Sequence, residues 1–245
     1  MVVFYFKCSK SDDLRKCASL IDKGSIILFP TDTVYGIGCD PLNKVSVLKL
    51  FQIKNRPLDK YLPILSSSVS NLSNLVEFTK DAEKLIKHFW PGPLTLVLKI
   101  KKNSSLDYNR YAFDKTVAIR IPNNKCIISL IQMTKNKLLI GTSANLSKQN
   151  PLIHLRDLDN CNLQGYDAIV DGDECSSSSF VSPLIPSSYS SSFLSSNSNN
   201  STNSIPVSTI IDMTDSNFPK IIREGVISKK EILALLKKRN VNTRK

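Results

Sequence analysis

Apolar and polar positions alternate along the chain in two periods. Short apolar runs with β-branched content read as strands at Val2–Phe6, Ser25–Phe29, Leu62–Leu65, Leu94–Ile100, Thr116–Ile121, Lys137–Ile140 and Val207–Asp212. Between them lie stretches with helical spacing. Asp12–Asp22 places Leu14, Cys17, Ala18 and Ile21 on one face, with Ser11 or Asp12 as N-cap and Gly24 as terminator. Lys44–Lys54, Cys126–Met133 and the basic Lys229–Lys238 suit helices, and Asp81–Phe89 is a helix stopped by Pro91-Gly92-Pro93. Val69–Leu75 reads as a loop or short helix, and Ile221 and Ile222 as a late strand. No repeat is present, which excludes a solenoid. The mix predicts α/β: a single domain with a twisted, largely mixed β-sheet.

Composition changes this picture in one place. Residues 176–204 hold fifteen Ser and four Asn, and no Lys, Arg, Asp or Glu occurs from Cys175 to Ile211. Such a stretch buries too little apolar surface to offset its ordering entropy. Because a strand pattern resumes after it, it interrupts one domain, 1–228, and does not separate two. Residues 229–245 form a basic tail with seven Lys and Arg against one acid. The net charge of +12 favours an anionic partner such as a nucleotide or RNA. Six scattered cysteines, with no C-x-x-C pair, read as reduced thiols of a cytoplasmic protein. Two isolated histidines give no zinc spacing, so no protein-held metal is expected. No apolar stretch approaches the roughly 20 residues of a membrane span, and Val2–Phe6 lacks the flanks of a signal peptide.

Four stretches carry candidate chemistry, each with a purely structural alternative. Pro30–Gly38 (PTDTVYGIG) follows a buried strand and offers the Thr31 and Thr33 hydroxyls and close backbone approach at Gly36 and Gly38; it equally suits a tight turn. Lys54-Asn-Arg56-Pro-Leu-Asp-Lys60 holds three cations, suited to a phosphate clamp or to a solvated helix end. Arg120 lies inside an apolar strand pattern, so it meets a ligand carboxylate or an internal Asp or Glu. Gly141–Ser147 (GTSANLS) is a compact donor and acceptor set, or a helix N-cap. There is no G-x-x-x-x-G-K-[ST] loop, which excludes a P-loop NTPase; the protein-kinase, G-x-S-x-G and H-E-x-x-H signatures are missing too.

Taken in order, these stretches resemble the YrdC-like family of threonylcarbamoyl-AMP synthases. The likeness rests on PTDTVYGIG, KNRP (54–57), FWPGPLTLVL (89–98), TVAIRIP (116–122), TSANLS (142–147), STIID (208–212) and IIREG (221–225). The family signature K-x-R … S-x-N falls on Lys54, Arg56, Ser143 and Asn145. The resemblance implies a twisted sheet with a basic concave face. It also implies conversion of L-threonine, bicarbonate or CO2 and ATP to L-threonylcarbamoyl-AMP and pyrophosphate, for a downstream threonylcarbamoyl-transferase acting on tRNA. ATP would bring its own Mg2+. By position, Lys54 and Arg56 would be catalytic, and Arg56, Lys60, Thr116, Ser143, Asn145 and Arg223 would bind ATP. Thr33, Arg120 and Ser208 would bind threonine. Glu224 stands where many members carry proline, a negative charge beside an expected phosphate contact. With 20 residues after Gly225, the chain is expected to be the short form without a further C-terminal domain. Two rivals remain at this point: a non-catalytic module binding double-stranded RNA or tRNA, and a carbamoyl-transfer domain of the hydrogenase-maturation kind.

Overall fold

In the computed structural model the described residues are 2–57, 62–108, 115–147, 149–172, 205–215 and 218–237. Lys60, Cys175, the 176–204 segment and the tail beyond 237 lie outside them. The elements run β1 (Phe4–Lys7), α1 (Ser11–Asp22), β2 (Ile27–Phe29), β3 (Gly36–Gly38), α2 (Lys44–Ile53), β4 (Ile64–Ser66), α3 (Lys80–Phe89), β5 (Leu94–Lys99) and β6 (Thr116–Arg120). They continue as α4 (Lys125–Met133), β7 (Leu138–Ile140), β8 (Thr142–Ser143), β9 (Ala168–Asp171), β10 (Thr209–Asp212), β11 (Lys220–Arg223) and α5 (Lys229–Lys237).

The strands divide between two mixed sheets, ordered β1-β9-β2-β3-β8 and β11-β10-β5-β6-β4-β7. The chain crosses from one to the other at Gly141, between β7 and β8. Two cores pack against the sheets. Period-two alternation sends Ile27 and Phe29 of β2 and Leu65 of β4 to a core under α1 and α4, and Leu28 and Ile64 to a larger core under α2 and α3. The last helix joins the larger core through Ile232, Leu235 and Leu236. Its N-terminus carries a capping box: Ser228 Oγ and N–H meet Glu231 Oε2, and Glu231 N–H donates back to Ser228 Oγ. No helix of the described residues is long and apolar enough to cross a membrane.

Four expectations are corrected. Lys10, with no side-chain bond, precedes the first turn of α1, and Ser11 and Asp12 are already helical. PTDTVYGIG is not all loop: its last three residues form β3, antiparallel to β2. A Cβ at Gly38 would lie 1.6 Å from the Ile140 carbonyl oxygen, so only glycine lets β3 approach β7. No helix follows Gly141; Thr142 and Ser143 pair with Ile37 and Gly36 as a strand, which removes the N-cap reading of that loop. Finally, Cys8 and Cys126 are disulfide-bonded, against the expectation of six reduced thiols. The packing of α1 on α4 brings together residues 118 apart in sequence, a proximity that spacing does not reveal. Cys17, Cys39 and Cys161 are free.

Candidate active site

Where the chain crosses between sheets, a cavity of about 220 Å³ is walled by strand ends from both. Arg56, Arg120 and Arg223 reach it from three separate elements, together with Thr33, Ser143 and Ser208. A second cavity, of about 280 Å³, lies along Gln149–His154 and the 3₁₀ turn Leu155–Cys161 and touches none of the expected site residues.

Thr116, Ala118 and Arg120 alternate onto one face of β6, and the last two line the cavity. The buried Arg120 guanidinium donates through Nε to the Gly92 carbonyl (3.0 Å), through Nη1 to Thr33 Oγ1 (3.1 Å) and through Nη2 to Asp32 Oδ1 (2.7 Å). Of the two partners left open by the sequence, an internal acid is therefore present. The Gly92 carbonyl is itself fixed, since Gly92 N–H donates to Ile121 O and Trp90 Nε1–H to Leu94 O. Thr31 Oγ1–H donates to the Val34 carbonyl (2.7 Å), so in the 3.1 Å contact between the Thr31 and Thr33 hydroxyls the proton comes from Thr33.

The opposite wall is built on Lys54, just past the end of α2. Lys54 is 2% exposed and does not face the cavity. Its Nζ donates to the carbonyls of Ser143 (2.5 Å) and Asn145 (2.7 Å). Asn145 is buried as well: its Oδ1 accepts from Ser143 Oγ, and its Nδ2 donates to the Leu146 and Gln149 carbonyls. The K-x-R … S-x-N signature thus splits by depth. Lys54 and Asn145 shape the loop from beneath, while Arg56 and Ser143 present themselves to the cavity. Burial first, and then the charge of Arg56, pushes the Lys54 ammonium down to about 7.

A third wall comes from β10 and β11. Arg223 donates to the Ser208 carbonyl (2.8 and 3.1 Å) and to Ser208 Oγ (3.1 Å), which also contacts Thr95 Oγ1 (3.0 Å). Much of the Arg223 side chain reaches solvent, but partial burial of its head and then the charge of Arg120 lower its pKa. Glu224 turns away from this wall and accepts the Lys229 N–H at the start of α5. Thr116 lies on the cavity face of β6 but not in the wall itself, and Lys60 is outside the described residues. Sequence reasoning passed over Asp32 and Thr95. The second had a signal, a lone hydroxyl in the apolar run Leu94–Leu98.

Comparison with known proteins decides the family. The Sua5/YciO/YrdC family model, described as "Telomere recombination", matches residues 19–188, more than half of the chain. The chain belongs to the Sua5/YciO/YrdC family. Among relatives of this family, a threonylcarbamoyl-AMP synthase of Pseudoalteromonas translucida is 33% identical over 152 residues, covering 61% of this chain and 80% of that one. The threonylcarbamoyl-AMP synthase of Pyrococcus abyssi is 38% identical over 135 residues, covering 55% of this chain but only 39% of the longer relative. A crystal structure of P. abyssi Sua5 complexed with L-threonine superposes with a TM-score of 0.74 at 27% identity, over 96% of this chain and 61% of that one.

Proposed function

We propose that the chain is an L-threonylcarbamoyladenylate synthase, joining L-threonine, bicarbonate-derived CO2 and ATP to give L-threonylcarbamoyl-AMP and pyrophosphate. The observation that carries this reading is the convergence of three guanidiniums from separate elements, with several hydroxyls among them, on one cavity. Family membership and the threonine complex of P. abyssi Sua5 support the choice of substrates.

The wall chemistry fits the reaction. Arg120 offers donors to an amino-acid carboxylate, and the Thr33 and Ser208 hydroxyls line the same cavity. The amino group of threonine would add to CO2 and lose a proton, and a carbamate oxygen would then attack the α-phosphorus as the bond to pyrophosphate breaks. A carbamate decomposes in water, so a confined cavity that holds it against the phosphate supplies both protection and proximity. Arg56 and Arg223, which line the cavity, would stabilise charge on the phosphoryl oxygens and the departing pyrophosphate, Lys60 would be a further phosphate ligand, and Ser143 would line the nucleotide side. The polar part of the described wall is hydroxyls and guanidiniums, groups that suit phosphate and carboxylate oxygens, set among apolar side chains such as Phe29, Leu65 and Ile210, and Mg2+ would enter as part of the ATP substrate. The product would pass to a threonylcarbamoyl-transferase that modifies tRNA.

The test is pyrophosphate release with and without L-threonine. Release that requires threonine and bicarbonate together is the expected result. Release that ignores threonine overturns the synthase reading, and RNA binding with no ATP turnover at all would favour the non-catalytic module.

A further inference from the structure

Asp32 touches the cavity only through another residue. It is missing from the wall, although its neighbours Thr31 and Thr33 are both part of it. Its carboxylate lies behind Arg120, with Oδ1 2.7 Å from Nη2, and the two side chains are 12% and 8% exposed. A guanidinium has five N–H donors. Three of those of Arg120 are spent, one each on Gly92 O, Thr33 Oγ1 and Asp32 Oδ1. One donor on each terminal nitrogen remains, and Arg120 borders the cavity. The three partners come from two segments far apart in sequence and grip the planar group along its edge, so it cannot swing about its stem. Asp32 also offsets the Arg120 charge inside the protein, while Arg56 and Arg223 carry the positive charge on the remaining walls.

We propose that Asp32 is the positioning residue of the amino-acid subsite: by fixing Nη2 it aims the two remaining Arg120 donors at the carboxylate of the bound amino acid. This rests on the reading of the cavity as a threonine site. Orientation, and not countercharge, is the function assigned to Asp32.

Two variants of the full chain separate those roles. D32N keeps an oxygen acceptor at the same reach but removes the charge, whereas D32E keeps the charge and displaces the acceptor by one methylene. Calorimetric titration with L-threonine, and separately with ATP, is the measurement. D32N is expected to bind L-threonine within about threefold of the wild type, and D32E about tenfold more weakly, on the scale of a misplaced contact. ATP affinity should stay within about twofold in both, which a general loosening of the fold would not allow. The proposal is overturned if D32E binds threonine like the wild type, if D32N is the weaker of the two, or if both ligands weaken together. A wild-type chain that turns over ATP with threonine while D32E is unaffected removes Asp32 alone. A wild-type chain that binds no L-threonine removes the reading of the cavity, and this proposal with it.

Discussion

The two buried cations beside the cavity are held in opposite ways. Arg120 faces a carboxylate, a hydroxyl and one carbonyl. Lys54 faces carbonyl oxygens of the Ser143–Asn145 loop. A guanidinium does not give up its proton, so Arg120 stays charged beside Asp32. A lysine amine can give up its proton, and the neutral form still has two N–H donors for the two close carbonyls. The pKa near 7 follows from burial of the amine and then from the charge of Arg56. One wall therefore holds a permanent charge ready for an anion, and the other uses an amine as a structural pin.

The sharpest break of this contrast is Arg56→Ala against Lys54→Met. Arg56 lines the cavity, so its loss should lower kcat/KM for ATP by roughly 10²- to 10³-fold with an unchanged circular-dichroism spectrum. Unchanged turnover would remove Arg56 from the site. Lys54→Met should act first on the fold. It strands the buried Asn145 carbonyl, at about 1–3 kcal/mol, and takes one of two donors from the part-buried Ser143 carbonyl, so a urea titration should show about 2–4 kcal/mol of lost stability. Full stability with lost activity would instead make Lys54 a substrate ligand.

A smaller effect concerns pH. The Lys54 pKa is about 7 in the folded chain and near the ordinary 10.5 when unfolded, so between these values the unfolded state binds more protons. Stability from this group therefore rises with pH across that window and is lowest below about 7. Relative to Lys54→Met, the wild type should gain on the order of 1 kcal/mol per pH unit between about 7 and 9. A flat difference would mean that the ammonium stays charged. The smallest effect belongs to Glu224→Gln, which weakens the contact to the first turn of α5 by less than about 1 kcal/mol and leaves turnover unchanged. A marked, salt-sensitive gain in ATP affinity would place Glu224 back beside the phosphates.

Much of this arrangement is legible in local pattern. Strands such as Leu94–Lys99 and helices such as Ser11–Asp22 follow from runs and spacing that report burial directly. The β3 strand was hidden because Gly36 and Gly38 carry no side chain to mark it, and β9, although its Ala-Ile-Val run is apolar, was passed over between loop and insertion. The motif order exposed Arg56, Arg120 and Ser143 as candidates. It did not expose that Lys54 points inward, because a helix-end lysine looks the same whether its amine meets water or a carbonyl. Pairings such as Asp32–Arg120, 88 residues apart, and Cys8–Cys126 depend on how the sheets and helices meet, information that no local window contains.

The most direct test of the account is mass spectrometry of the product formed from isotopically labelled bicarbonate, ATP and L-threonine. The account predicts label in threonylcarbamoyl-AMP only when all three are present, and loss of that species with Arg56→Ala. Unlabelled AMP and pyrophosphate accumulating without threonine would contradict it.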